Sequence, residues 1–410
     1  MSIPLDRLYT YLHGICNHDV IIYRVYPYGS KNITDCTPLK LRSWYEDMTL
    51  PHAWCLDQEL IPSSWANAHL PFFYFDEQMI KTSRLLPLFK AYSILPYRLH
   101  DRTILVHSEF GSKTVKTMQN HGYIPVHWFS HGAIAQDWFR YAEHDPKIGQ
   151  QNSSNTKKFL IYNRAWTGTR EYRLKFAAML AETGLLSVCK TSVAFTDSGT
   201  HYSQHRFQNS QWSIDLKLED YFDENLYTSC ASADYDQDDY AQRIIEVVLE
   251  TIFDDSKISL TEKSLRPMAT GTPFILASAA GSLAYLRRYG FETFTPWINE
   301  SYDLESDPAT RLQMIIQELQ RISKLKHADY QLLIDQCYKI AAKNRQHFFS
   351  QNFFNSVIGE YQQGMTAAIE ESRHYISDHE WQLVKQQHSE IQQQQIQDFL
   401  QRNRISSTGK

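Results

Sequence analysis

The chain has 410 residues, enough for two or three domains of ~150 residues. Its 42% apolar and 13% aromatic residues exclude a disordered protein. The sequence contains no run of ~18 apolar residues, so no membrane span is expected. The formal charge is −5, and the first residues do not have the pattern of an export signal. Six cysteines without a CxxC pair argue against a zinc ribbon or disulfide scaffold and favour a reducing cytoplasm.

Predicted strands and helices alternate in the first part of the chain. Apolar runs predict strands at 20–26, 103–106 and 123–126. A helix capped by Ser112 is expected to end at Asn120, and another helix is expected to begin at Ser130 and to extend to Ala142. This order is typical of a parallel sheet covered by helices.

A polar stretch at 145–155 predicts a linker, with a domain boundary near residue 153. The alternation then begins again. The predicted strands are 158–162, 258–260 and 274–277, and the predicted helices are 170–182, 240–249, 262–269 and 282–289. After about residue 308 the chain is predicted to be helical, with a long amphipathic helix at 381–404.

Charge is unevenly distributed. Residues 219–256 carry net −11, whereas residues 81–121 carry net +5 and include several aromatic side chains. Bases can neutralise phosphates and aromatic rings can stack on nucleobases, so the basic stretch is either a nucleic-acid surface or an ordinary solvated surface. Its basic residues are Lys81, Arg84, Lys90, Arg98, Arg102, Lys113 and Lys116.

The segment 259–294 contains the most informative pattern. Thr261 can cap a helix whose first turn carries Glu262 and Lys263, and such a helix end attracts anions. A carboxylate also suits the hydroxyls of a ribose. Gly281 permits close approach of a ligand to the backbone, and Ser282 is predicted to cap the next helix. These features predict a cradle for a nucleoside diphosphate; the alternative is a capped helix with a surface ion pair.

The sequence Leu260-Thr261-Glu262-Lys263, followed by Gly271-x-Pro273 and an apolar strand, resembles the donor-binding signature of GT-B glycosyltransferases, especially α1,3-fucosyltransferases. With GSLAYLRRYGFETF and Asn299–Asp303, it is also similar to phage-encoded glycosyltransferases, including those that modify hydroxymethylated DNA. The resemblance extends over residues 100–305. Pro267 departs from the fucosyltransferase pattern, because a proline inside the helix should kink it. The identity of the donor sugar nucleotide is therefore not inferred from the fucosyltransferases.

The resemblance implies an α/β fold of two Rossmann-like domains (GT-B), with a donor and acceptor cleft between them. The N-terminal acceptor-binding domain is expected at 1–153 and the donor domain at 154–345. C-terminal helices at 346–410 are expected to pack partly on the first domain.

The resemblance also implies roles for individual residues. Glu262 is expected to bind the donor ribose, Lys263 a phosphate, and Arg164 the diphosphate, with an exposed salt bridge as the alternative for Arg164. The full predicted donor-binding set is Asn163, Arg164, Arg170, Thr261, Glu262, Lys263, Gly281 and Ser282.

Transfer to an alcohol benefits from a general base at the end of a strand. Glu109 is the first candidate, followed by His131 and Asp137; helix capping and buried polar contacts are the alternative roles. No metal site is expected at the His127 and His131 pair, which has no third ligand in register. The D-x-D pattern in 234–239 is interpreted as a solvated acidic loop before a helix.

These observations lead to the hypothesis of a cytoplasmic glycosyltransferase, in a bacterial host if the protein is phage-encoded. It would transfer glucose, or a pentose such as arabinose, from a UDP-sugar (or GDP-sugar). The acceptor is a hydroxymethyl or hydroxyl group of a modified pyrimidine in double-stranded phage DNA, which the sugar protects from nucleases. No metal, tightly bound cofactor or membrane is expected. The alternatives are a glycan or protein acceptor, and a non-catalytic protein that binds nucleotide sugars.

Overall fold

The structure, a computed structural model, describes residues 2–17, 20–25, 52–56, 103–120, 122–148, 157–224, 234–254 and 257–373. Over these residues the chain is a mixed α/β protein with parallel sheets. Its internal contacts divide it into two compact units. One comprises 1–8, 108–113 and 127–361, and the other comprises 9–107, 114–126 and 362–410. The domain ranges expected from the sequence stay a prediction.

The first sheet confirms the strands predicted near the N-terminus. Its order is β1 (Ile21–Val25), β2 (His52–Leu56), β3 (Thr103–His107) and β4 (Ile124–His127), and β2 pairs in parallel with both β1 and β3. Continuous apolar runs are typical of such strands. Helix α1 (Leu5–Ile15) precedes the sheet, and α2 (Lys113–Asn120) follows Ser112 as predicted.

Helix α3 (Ser130–Trp138) begins where the sequence predicts but does not extend to Ala142. A 3₁₀ turn at Arg140–His144 follows it. The Arg140 guanidinium donates a 2.6 Å hydrogen bond to the carbonyl oxygen of Asp137, which an α-helix would reserve for the next turn.

The second sheet lies in the first compact unit. Its strands are β5 (Phe159–Asn163), β6 (Cys189–Val193), β9 (Ile245–Leu249) and β10 (Phe274–Ala277). They lie in the order β6-β5-β9-β10, and every pair is parallel. The helices of this part of the chain are α4 (Tyr172–Glu182), the short α5 (Gln237–Tyr240), α6 (Glu262–Thr270) and α7 (Ser282–Arg288). Between β6 and β9 in the sequence, β7 (Thr196–Asp197) and β8 (Thr200–His201) form a separate antiparallel pair.

The helix predicted at 240–249 is wrong, because this segment contains β9. All five residues of β9 are buried, including the charged Glu246. The Glu246 carboxylate accepts a 2.6 Å hydrogen bond from Arg266 and a 2.7 Å bond from the Tyr240 hydroxyl. A short apolar run has the same pattern in a buried strand and a buried helix, and the β-branched residues here favour the strand.

The strand predicted at 258–260 is also wrong. Only Ile258 pairs, through an isolated antiparallel bridge to Phe110, with backbone hydrogen bonds of 2.8 and 2.9 Å. The segment therefore packs against the start of the loop after β3 and does not add a strand to the second sheet.

The chain after residue 307 is helical as far as the structure describes it, which confirms the prediction; its helices there are α8 (Pro308–Ser323), α9 (His327–Phe348) and α10 (Gln351–Arg373). The helix predicted at 381–404 lies outside the described residues. Among the described helices, none has both the length and the apolar character needed to cross a membrane.

Candidate functional site

The strand order of the second sheet creates a topological switch point between β5 and β9. From β5 the chain passes to β6 on one side, and it later returns to β9 and β10 on the other side. The connections that leave β5 and β9 therefore diverge at their carboxyl ends. In open parallel sheets this divergence forms the crevice in which ligands bind.

The loop after β5 is held by Asp197, whose carboxylate accepts hydrogen bonds from the backbone N–H groups of Trp166 and Thr167 at 2.8 and 2.7 Å. Burial alone raises the pKa of Asp197, but these hydrogen bonds hold it below its ordinary value. Gly168 has a φ of +66°, which favours glycine. Arg164 is partly exposed and makes no hydrogen bond or ion pair with any residue that the structure describes.

Arg173 joins this loop to the end of β9. Its guanidinium donates hydrogen bonds of 2.6 Å to the carbonyl oxygen of Ala165 and 2.5 Å to that of Leu249. The Thr169 hydroxyl donates a further 2.9 Å bond to the carbonyl oxygen of Thr251. These contacts fix the two sides of the crevice. The sequence analysis missed Arg173, because only the fold places this helical residue beside β9.

Two residues of the predicted donor-binding set bind the backbone of the same unit. Asn163 is buried, and its side-chain nitrogen donates a 2.9 Å hydrogen bond to the carbonyl oxygen of Arg173. The Arg170 Nε donates a 3.2 Å bond to the carbonyl oxygen of Thr167. Asn163 therefore positions α4, while Arg170 remains at the edge of the loop.

Glu250, at the end of β9, occupies the N-terminus of α6. Its fully buried carboxylate accepts hydrogen bonds from the backbone N–H groups of Thr261 and Ser264 at 2.9 and 3.2 Å, and from both hydroxyl groups. The Thr261 hydroxyl accepts a bond from the N–H of Lys263, which confirms Thr261 as the cap. The helix end predicted to attract anions therefore has no free N–H group at Lys263 or Ser264, because protein oxygens already bind both.

Glu262 lies buried between Lys263 and His131. Its carboxylate is 2.7 Å from the Lys263 ammonium and 3.6 Å from Nδ1 of His131. Burial alone would raise the pKa of Glu262, but the charges of Lys263 and His131 and the hydrogen bonds lower it to about 2. Both carboxylate oxygens thus have neighbours within the protein, and the role of Glu262 toward a ribose stays a prediction.

In the loop after β10, Gly281 has a φ of +84°, which favours glycine; its predicted close approach to a ligand stays a prediction. Ser282 does not cap α7 as predicted. Its hydroxyl donates to the carbonyl oxygen of Ala279 at 2.6 Å, while the Asp303 carboxylate accepts the backbone N–H of Leu283 at 3.1 Å. A distant carboxylate therefore takes the capping role, which no local pattern could indicate.

The three residues predicted as general bases are buried: Glu109 is 1% exposed, His131 0% and Asp137 8%. Glu109 lies 3.2 Å from the Lys257 ammonium, and Asp137 lies 3.1 Å from the Arg140 guanidinium. Their proposed catalytic roles stay predictions, but none of the three is presented to solvent in this structure.

Of the predicted DNA-binding residues, Lys113 and Lys116 are exposed on α2. The other five, Lys81, Arg84, Lys90, Arg98 and Arg102, lie outside the described residues. The interpretation of 234–239 as a solvated loop is wrong for Asp239, which is buried and binds Lys190 and the Tyr162 hydroxyl. Asp236 caps α5. Across the ranges that the structure describes, no three His, Cys, Asp or Glu side chains form a group that could hold a metal ion.

The structure also shows a cluster that the sequence analysis missed, here called the His127 ring. His127, at the end of β4, contacts the carboxylate of Glu360 through Nδ1 at 3.1 Å and the hydroxyl of Tyr285 through Nε2 at 3.3 Å. The hydroxyls of Tyr285 and Tyr289 are 3.2 Å apart, and Tyr289 donates to Glu360 at 2.9 Å. The i, i+4 spacing of the tyrosines was visible in the sequence, but the contact with Glu360 was not.

Comparison of the chain with protein-family models, with curated proteins and with solved structures finds no match.

Proposed function

We propose that the protein is a glycosyltransferase that transfers a sugar from a nucleoside diphosphate to a hydroxyl group. The supporting observation is that Arg164 and the Thr261–Lys263 segment are linked at one edge of a parallel sheet, through Arg173 and Glu250. This edge contains the switch point at which doubly wound sheets bind nucleotides. In this proposal the complete protein has the GT-B arrangement of two Rossmann-like domains.

Arg164 is proposed to bind the diphosphate. Its guanidinium has no partner among the described residues, whereas Lys263 is already paired with Glu262 and Glu250 fills the N-terminus of α6. A guanidinium binds two phosphate oxygens with its planar fork. It would also stabilise the negative charge that develops on the leaving nucleoside diphosphate. Arg170, in the same loop, is proposed as a second phosphate ligand.

The proposed acceptor is a hydroxymethyl or hydroxyl group on a modified pyrimidine of double-stranded DNA, in the cytoplasm. The basic stretch of the sequence supports this choice, as does the exposure of Lys113 and Lys116. The target base would be flipped out of the duplex, because chemistry on a base needs access to its edge. The proposed donor is a UDP-sugar, with a GDP-sugar second, and no metal is needed.

Two other functions compete with this proposal. The net charge of −5 favours a glycan or protein acceptor over DNA. Binding of a nucleotide sugar without transfer is the second alternative. All three functions share the donor site. Two of them differ in the acceptor and the third has no acceptor, so one experiment on donors and another on acceptors separate them.

The first experiment measures thermal shifts with UDP, GDP and UDP-glucose, each with and without magnesium or manganese. A ligand at 100 times its Kd adds ~2.7 kcal/mol of stability. A shift with one nucleotide in the absence of metal supports the donor site, and no shift with any of them contradicts it. The second experiment offers hydroxymethylated DNA, unmodified DNA and glycans with the identified donor. Transfer to hydroxymethylated DNA alone supports the DNA acceptor, and donor binding without transfer to any acceptor supports a binding protein.

A further inference from the structure

The His127 ring is a set of polar contacts within the first compact unit. The contacts run from His127 to Tyr285, to Tyr289, to Glu360 and back to His127, at 3.3, 3.2, 2.9 and 3.1 Å. The backbone N–H of Phe129 donates a further 2.9 Å bond to Glu360. Polar atoms at these separations form hydrogen bonds when a hydrogen is available for each contact.

The contacts of the His127 ring give the two imidazole nitrogens different roles. Burial raises the pKa of Tyr285 and of Tyr289, so both phenols keep their hydrogens. A neutral imidazole has one N–H donor and one nitrogen that accepts. With Nδ1 donating to Glu360, Nε2 is the accepting nitrogen, and it lies 3.3 Å from the Tyr285 hydroxyl.

His127 is also placed to meet a substrate. Its side chain is 20% exposed, unlike the fully buried His131. The exposed ring of Phe110 lies 5.6 Å from the imidazole, and its backbone pairs with Ile258. A Cβ placed on Gly281 would lie 3.6 Å from the Ile258 side chain, so the backbone pair of Phe110 and Ile258 connects the His127 ring with a predicted donor-binding residue.

We propose that His127 is the general base that deprotonates the acceptor hydroxyl, an assignment that rests on the proposed glycosyl transfer. The acceptor hydroxyl takes the place of Tyr285 at Nε2. Its proton moves to Nε2 while its oxygen forms a bond to the anomeric carbon. The bond from that carbon to the diphosphate oxygen breaks, and the electron pair leaves with the nucleoside diphosphate. Glu360 is a positioning residue that holds the imidazole through Nδ1.

The first test replaces His127 with glutamine, which keeps a hydrogen-bonding side chain but cannot take up a proton. We expect kcat to fall by ~10²-fold or more, the usual contribution of a general base. Donor binding and Tm should match those of the wild type. His144→Gln is the matched control, since that imidazole is 84% exposed and lies near only Glu143 among the residues that the structure describes.

Two further readouts separate a base from a structural residue. The pH profile of wild-type kcat should have an acidic limb that is absent from the profile of His127→Gln. Among the residues that the structure describes, the charged or titratable groups near His127 include Glu360, Tyr285 and Tyr289, with Arg288 across the Phe110 ring. Added imidazole should restore turnover to His127→Ala, and it would not repair a folding defect.

The outcomes distinguish the two proposals. If the wild type transfers sugar and both His127 variants have wild-type kcat, the base assignment is wrong and the glycosyltransferase proposal stands. If the wild type neither binds a nucleoside diphosphate nor transfers sugar, the proposed function fails and the base assignment fails with it. Loss of turnover in His127→Gln with intact donor binding, together with imidazole rescue of His127→Ala, supports both.

Discussion

The carboxylate of Glu250 lies 2.9 Å from the backbone nitrogen of Thr261, so a buried acid directly after β9 occupies the end of α6 that attracts anions. The same carboxylate accepts the N–H and the hydroxyl of Ser264. The N-terminus of α6 is thus satisfied from within the protein. The proposed donor diphosphate would therefore need positive partners elsewhere, and Arg164 is the residue that we propose for that role.

We predict that Glu250→Ala lowers the free energy of unfolding by at least ~3 kcal/mol, because it leaves several buried donors without an acceptor. Glu250→Gln should cost less, since its amide oxygen still accepts some of these bonds. Urea denaturation of the two variants and the wild type measures the difference. A Glu250→Ala protein as stable as the wild type would show that Glu250 does not stabilise the N-terminus of α6.

Arg164→Ala should weaken donor binding by ~10-fold or more, about 1.4 kcal/mol, without lowering Tm in the absence of donor. Stability should not change because Arg164 has no polar partner among the described residues. Isothermal titration with the identified nucleotide measures the effect. Wild-type affinity in this variant would remove Arg164 from the site.

Lys324→Ala is the matched control for Arg164→Ala. Lys324 is an exposed cation at the end of α8. The carbonyl oxygens of Ile322 and Ser323 accept hydrogen bonds from Lys158, which precedes β5. Lys324 therefore lies toward the amino edge of the second sheet, opposite the crevice, and its removal should leave donor affinity unchanged.

The depressed pKa of Glu262 predicts a specific loss of stability in acid. Because the pKa in the folded protein is about 2, below the ordinary value of 4.5, ionised Glu262 stabilises the fold above pH 4.5. This stabilisation, on the order of 1–3 kcal/mol, is lost as the pH falls from 4.5 toward 2. Denaturant unfolding across this pH range should show a steeper loss for the wild type than for Glu262→Gln. Equal pH dependence in the two proteins would contradict the pairing of Glu262 with Lys263 and His131.

If DNA is the acceptor, Lys113 and Lys116 should contribute to the salt dependence of binding. Each lysine that contacts a phosphate adds ~0.9 to the slope of log K against log salt concentration. The Lys113→Ala and Lys116→Ala double variant should therefore show a lower slope in fluorescence anisotropy at several salt concentrations, and Lys324→Ala should not. An unchanged slope would place both lysines outside the DNA-binding surface.

Much of the fold follows from local sequence patterns. The run at 274–277 matches β10, Thr261 caps α6, and α6 ends at Gly271, whose φ is +66°. The errors occur where a pattern has two solutions. The run in 240–249 suits a helix or a buried strand, and only pairing with β5 and β10 selects the strand. The candidate site was also predicted only in part. The sequence indicated Arg164, which directly follows β5, but it gave no sign of Arg173 or Glu250.

The sequence by itself determined the Thr261 cap, the turn at Gly271 and most of the alternation of strands and helices, because those depend on residues a few positions apart. Only the tertiary structure decided which groups meet. Glu360 binds His127 across 233 positions of the chain, and Glu250 reaches Thr261 because β9 and α6 pack at one edge of a sheet. Burial then sets the chemistry of these groups, because a charge removed from water must be paired by neighbours that the fold supplies.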